Sequence, residues 1–128
     1  MKIVNVNTLR AYEELLNTLA LITDKEDLGA YLMVNLGTDV FGAWFAVDED
    51  NVVGVCVVEA VDLTLDPKMF MAYLWTDKDH TPEQLVEHAD AWGRKRKLRK
   101  AVLYSNRNYK KYQNYGFSLK RTVMEKEL

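Results

Sequence analysis

Two apolar segments joined by four polar residues constrain the fold of this chain more than any other feature. Phe41 to Val47 and Val52 to Val61 are dense in valine, phenylalanine and alanine. Between them, Asp48-Glu49-Asp50-Asn51 reads as a tight acidic turn, so the pair forms an antiparallel hairpin. After a loop from Asp62 to Pro67, Met69 to Trp75 supplies a third, bulky strand. Thr81-Pro82-Glu83 then has the marks of a helix start: a capping residue, proline at the first helical position and acid in the first turn. The helix is expected to reach about Leu98 and to bury Leu85, Val86, Ala89 and Trp92. Ala101 to Tyr104 follows as another strand. Strand, helix and strand in that order predict a right-handed crossover that lays two parallel strands side by side. The sheet is therefore mixed, mainly antiparallel.

Ile3 to Val6 is a short strand candidate, and Thr8 can cap a helix over about Leu9 to Leu21. Leu9, Tyr12, Leu15, Leu16 and Leu19 fall on one face of it. Thr23-Asp24-Lys25-Glu26 resembles a capping box for a second helix that runs to about Asn35, with Gly37 ending the segment. Near the other end, Ser105 to Asn108 is a polar turn and Tyr109 to Tyr115 one or two helical turns. Gly116 fits the left-handed residue that closes a helix, and Phe117 to Lys126 is a final strand. The order β-α-α-β-β-β-α-β-α-β gives the expectation of a single α/β (α+β) domain over residues 1–128, its sheet flanked by helices.

With 48% hydrophobic and 28% charged residues, the chain has the composition of a soluble globular domain. Its longest apolar run, Val52 to Val58, is too short to span a bilayer, and no leader-like apolar stretch follows Met1. The expected location is cytoplasmic, without membrane partners. Cys56, the single cysteine, lies in an all-apolar strand with no basic neighbour and reads as a buried hydrophobe. His80 and His88 stand eight residues apart, which is not a metal-ligand spacing, and both read as surface residues with no metal. Neither a Walker loop nor a nucleophile elbow is present.

Ala101 to Phe117 carries the strongest likeness to a known family. A strand, an Asn-bearing turn and a helix ending Tyr112-Gln113-Asn114-Tyr115-Gly116-Phe117 resemble the C-terminal half of the GCN5-related N-acetyltransferases, the GNAT superfamily. The resemblance implies an acyl-CoA N-acyltransferase-like fold whose fourth and fifth strands splay apart to admit acetyl-CoA. It implies direct transfer of the acetyl group to an amine acceptor, on a small molecule or a protein, with Tyr112 protonating the departing thiolate. A general base would come from the central strands, where Glu59, Asp62 and Asp77 are the candidates and Glu59 is preferred. Cofactor contacts are implied for Leu74, Trp75 and Thr76 on the fourth strand, and for Lys78, His80, Thr81 and Gln84 in the following loop and helix start. Asn106 stands beside Ser105, where the family's asparagine falls.

The loop itself departs from the family pattern, in which glycines let the backbone wrap a pyrophosphate at a helix N-terminus. Thr76 to Gln84 contains no glycine, and it adds Asp77, Asp79 and Glu83 against Lys78 and His80. Two or three such carboxylates near a polyanion cost a few kcal/mol, about a 10-fold to 100-fold loss in affinity. A second reading follows: a GNAT-fold binding or structural protein without catalysis, similar in size and loop to small acetyltransferase-like proteins of tailed phages, acting through a protein partner. A third rests on charge. Residues 1–91 hold 5 cationic against 17 acidic side chains, and residues 92–128 hold 12 against 2. Arg94 to Lys100, with Arg107, Lys110, Lys111 and interleaved tyrosines, could bind nucleic acid, although no nucleic-acid-binding signature accompanies it. A solvated helix end explains the same run more simply. An open cleft between the fourth and fifth strands separates the enzyme from the binding module, in which Trp75 or Tyr109 would fill it.

Overall fold

In a computed structural model, five strands pair in the order β1-β2-β3-β4-β5, antiparallel throughout except for the parallel β4–β5 pair. Residues 1–22, 38–103, 110–118 and 126–128 are described, with backbone only at 19–22 and 111. The strands are β1 (Lys2–Asn5), β2 (Phe41–Asp48), β3 (Asn51–Val61), β4 (Lys68–Thr76) and β5 (Ala101–Val102), and the helices are α1 (Leu9–Ile22), α2 (Glu83–Lys95) and α3 (Lys110–Gln113). The expected second helix, the turn from Ser105 to Asn108 with the flanking Tyr104 and Tyr109, and most of the final strand lie outside the described residues. None of the described helices is long and apolar enough to cross a membrane.

The β2–β3 hairpin closes on Glu49 and Asp50, both at positive φ (50° and 66°), as a two-residue turn matched to strand twist requires. Strand alternation then divides the apolar side chains between two faces. Phe41, Ala43, Phe45, Val55 and Val57 meet Leu15 of α1 on one face. Trp44, Ala46, Cys56, Val58, Met69 and Met71 meet Leu85 and Ala89 of α2 on the other. Cys56 is fully buried there, and burial pushes its thiol far up, as an inert core residue requires.

Two irregularities re-aim the strands. Ala46 pairs with Gly54 but Val47 with Val52, so Val53 is extra in β3 and joins the α2-side cluster. In β4 the register shifts between Tyr73 and Met71, so Ala72 is extra. Ala72 and Tyr73 therefore both pack toward α1, and Met71 and Leu74 toward α2.

Thr8 caps α1 as expected, its hydroxyl accepting from Ala11 N at 3.1 Å. Other expectations need correction. Leu9 is 74% exposed, because the first turn of α1 projects beyond the cluster that Leu15 fills. The helix expected to reach Leu98 stops at Lys95. Leu98 N bonds Gly93 O (3.0 Å), Lys97 N bonds Arg94 O (2.9 Å), and Lys97 takes φ 61° in the position that usually selects glycine. This reversal lets Leu98 stay buried.

Candidate functional site

The parallel pair β4–β5 is short: Met69 faces Ala101 and Phe70 faces Val102. β4 continues to Thr76, and among the described residues its only neighbour over Met71 to Thr76 is β3. The far half of β4 thus has one edge beside β3 and one edge away from it. That strand leads directly into the loop and the N-terminus of α2.

The extra residue of β3 positions this loop. Val53 O accepts Asp77 N at 2.9 Å, one step beyond the Gly54–Thr76 pair of the β3–β4 ladder. Asp77 Oδ1 then accepts Asp79 N at 3.1 Å, and the Thr76 hydroxyl donates to His80 O at 3.1 Å. His80 is held on both sides. Its Nδ1 lies 2.6 Å from Asp77 Oδ1 and its Nε2 lies 2.8 Å from Asp48 Oδ2, at the end of β2. A carboxylate can only accept, so both bonds are made together only by the imidazolium. The hydrogen bonds to Asp48 and Asp77 accordingly raise the pKa of His80, and the His80 hydrogen bond lowers that of Asp77.

His80 is therefore not the surface histidine its sequence context predicts; its side chain is 22% exposed and its ring nitrogens are committed. Thr81 likewise does not cap the helix. The cap position falls on Pro82, and no side chain bonds the first N–H groups of α2. Val86 N closes the first helical bond on Pro82 O at 2.9 Å. Lys78, Thr81 and Gln84 are exposed around this end, as are Asp79 and Glu83. Leu74 packs against the α2-side cluster and Trp75 against the α1-side cluster, so the two indole- and leucine-bearing positions face opposite sides of the sheet.

Tyr112 sits on α3, and its carbonyl accepts both Tyr115 N (3.0 Å) and Phe117 N (3.3 Å), while Gly116 N bonds Gln113 O at 3.2 Å. Gly116 has φ 90°. These bonds close a helix on a left-handed glycine, as the sequence pattern predicts. Glu59 is half-buried near the C-terminal end of β3, opposite Phe41 on one side and Phe70 on the other. Asp62 is paired with Lys68 at 2.9 Å. Asn106 lies outside the described residues. Asp48 was not a sequence candidate, since nothing in an acidic turn marks one carboxylate as the partner of a histidine 32 residues away. Among the described residues no cluster of histidine, cysteine and acidic side chains could hold a metal ion.

No protein-family model and no curated protein matches the sequence. Solved structures do match. Aminoglycoside 6'-N-acetyltransferase AAC(6')-IG from Acinetobacter haemolyticus has a TM-score of 0.82 at 10% identity, covering 100% of this chain and 98% of that one. AAC(6')-Iy, in complex with the bisubstrate analogue CoA-S-monomethyl-acetylneamine, has a TM-score of 0.81 at 15% identity over 99% and 97% of the two chains. A predicted acetyltransferase from Clostridium acetobutylicum, solved with acetyl-CoA, gives 0.80 at 13% over 98% and 95%. At these identities the likeness establishes the fold: a GNAT-type acyltransferase fold along the whole chain.

Proposed function

We propose that this GNAT-fold protein is an acetyl-CoA-dependent N-acetyltransferase acting on the amine of a small molecule. The observation that carries the reading is the helix N-terminus that no side chain caps, reached directly from β4, the strand that pairs in parallel with β5. An extended pantetheine arm can lie along the edge of Leu74, Trp75 and Thr76, bonded by the strand backbone as an added strand would be. Uncapped N–H groups at the head of α2, with exposed Lys78, suit a pyrophosphate. The clasp of Asp48, His80 and Asp77 carries one net negative charge, so Lys78 and the helix N–H groups are what remain to meet a phosphate. His80 then acts by holding the loop rather than by touching the ligand.

Bound acetyl-CoA supplies an activated thioester, and the chain's own residues orient it and move protons. Tyr112 is the proton donor to the leaving sulfur in this reading. Glu59 is kept as the base, since Asp77 is held in its weakly basic form by His80 and Asp62 is paired with Lys68. The structural neighbours named for aminoglycoside acetylation support a small polyamine-like acceptor. The acidic excess of residues 1–91 would attract such a cation.

Calorimetric titration of acetyl-CoA tests the proposal. Micromolar affinity that falls about 10-fold in Lys78→Glu is expected. Tyr112→Phe should leave affinity unchanged while lowering turnover of an aminoglycoside acceptor by about 10²-fold or more. No binding at millimolar ligand would sink the enzyme reading in favour of a cofactor-free module, which Asp79 and Glu83 at the helix head would then explain.

A further inference from the structure

The basic run at the other end of α2 takes no part in the proposed chemistry, yet it borders the cavity between α2, β5 and the end of α3. This cavity measures about 210 Å³. Arg94, Arg99 and Lys100 line it with one carboxylate, Asp90. Its apolar lining comes from Met69, Leu98, Ala101 and Phe117. Gly116 leaves a further wall bare, since a Cβ there would meet nothing within 4 Å. Lys100 is anchored at the rim by its own backbone, whose carbonyl accepts Met69 N at 2.8 Å. The cofactor loop is at the opposite end of a 13-residue helix, about 20 Å away.

From this geometry we propose a second binding site, for a phosphate monoester carrying a small apolar or aromatic body. Arg94 and Arg99 face the single carboxylate of Asp90, while Lys100 is shared with Asp66 at 3.8 Å, so the lining keeps a positive surplus carried by the arginines, which favours an anion. Two of the cations are arginines, whose planar forks suit phosphate oxygens. An apolar cavity of about 150 Å³ accommodates a benzene-sized ring, so this one holds such a ring with part of its phosphate. A helix C-terminus ordinarily repels anions. Here Gly93 O and Arg94 O are already bonded by the N–H groups of Leu98 and Lys97, which blunts that repulsion.

Phenyl phosphate is the probe, titrated into the full chain by calorimetry beside inorganic phosphate and phenol. Phenyl phosphate should bind at least 10-fold more tightly than either of the others. The double variant Arg94→Gln, Arg99→Gln should lose at least 10-fold in affinity. Lys95→Gln with Lys97→Gln removes as much charge from the same run without touching the lining, and should lose less than 2-fold. Equal affinity for inorganic phosphate, or equal losses in the two double variants, would mean diffuse attraction to a charged helix end and overturn the site. Tighter binding of a single-stranded oligonucleotide, lost equally in both double variants, would overturn it in favour of a nucleic-acid surface.

Discussion

The two ends of α2 are built on opposite principles. At the head, carboxylates crowd a loop whose course is set by long-range bonds: Val53 O to Asp77 N, and Asp48 to His80. At the tail, a run of cations accompanies a helix stop whose backbone bonds are all between neighbours, from Gly93 to Leu98. Both arrangements complement the helix macrodipole, acid at the N-terminus and base at the C-terminus. They differ in what they leave over. The head neutralises part of its own charge through one histidine, whereas the tail keeps a surplus facing a cavity. Part of the charge asymmetry between the two chain halves falls along this one helix, with Glu83 in its first turn and Arg94 and Lys95 in its last.

Core substitutions should break this comparison most strongly. Leu85 at the head is 0% exposed and Leu98 at the tail 8%. Leu85→Ala is expected to cost about 3–5 kcal/mol, and Leu98→Ala about 2, near the lower end for such truncations. Urea midpoints measure both, and equal losses would mean that the tail is packed as rigidly as the head.

Glycine substitutions should separate the ends by sign. A Cβ on Gly54 would lie 2.9 Å from Leu85 Cδ1 and 3.1 Å from the Trp75 carbonyl oxygen, so Gly54→Ala should destabilise by about 1–3 kcal/mol. On Gly93 it would meet Met69 Sδ at 3.4 Å, at the far edge of close contact. Gly93→Ala should therefore be neutral or stabilise by up to about 1 kcal/mol through helix propensity. Thermal unfolding of the two variants decides whether the signs differ.

Lys97→Gly relieves a left-handed lysine and should stabilise by about 1 kcal/mol. Gly116→Ala places a side chain at φ 90° and should destabilise by a similar amount. A loss on Lys97→Gly would show that the lysine side chain contributes more than its backbone strain costs.

The histidine clasp gives the smallest and most specific effect. Raised in the folded state, His80 stabilises fully below its ordinary 6.5 and loses that contribution as pH rises through the raised value. Asp77, lowered, contributes fully above its ordinary 3.8 and fades as pH falls through the lowered value. The clasp is thus complete between the two. Melting temperature should decline from pH 6 to pH 9 more in the wild type than in His80→Gln, and identical profiles would remove the clasp from any account of stability.

Much of the architecture was legible because its signals are local. The hairpin follows from apolar segments around an acidic turn, the start of α1 from Thr8, and the α3 stop from Gly116. The parallel β4–β5 pair followed from chain order. Leu9 misled because periodicity gives the side of a helix and not how far the sheet extends beneath it. Thr81 misled because a capping residue needs the right backbone approach, and His80 fixes that approach through Asp48. Lys97 carries no glycine or asparagine signal, so the early stop of α2 was invisible. At the candidate site, the sequence named the β4–α2 segment and Tyr112, but it gave no sign that Asp48 and Asp77 bond both ring nitrogens of His80.

By itself, then, the sequence determined, for the described residues, which segments are strands and helices, the order in which they alternate and the charge each end of α2 carries, because propensity, period and capping act within a few residues. Tertiary structure alone decided that Val53 O holds Asp77 at the start of the loop, that Asp48 claims His80, and that three cations of one run share a cavity with Phe117. Those are contacts between residues far apart in the chain, and only a folded sheet brings them within bonding distance.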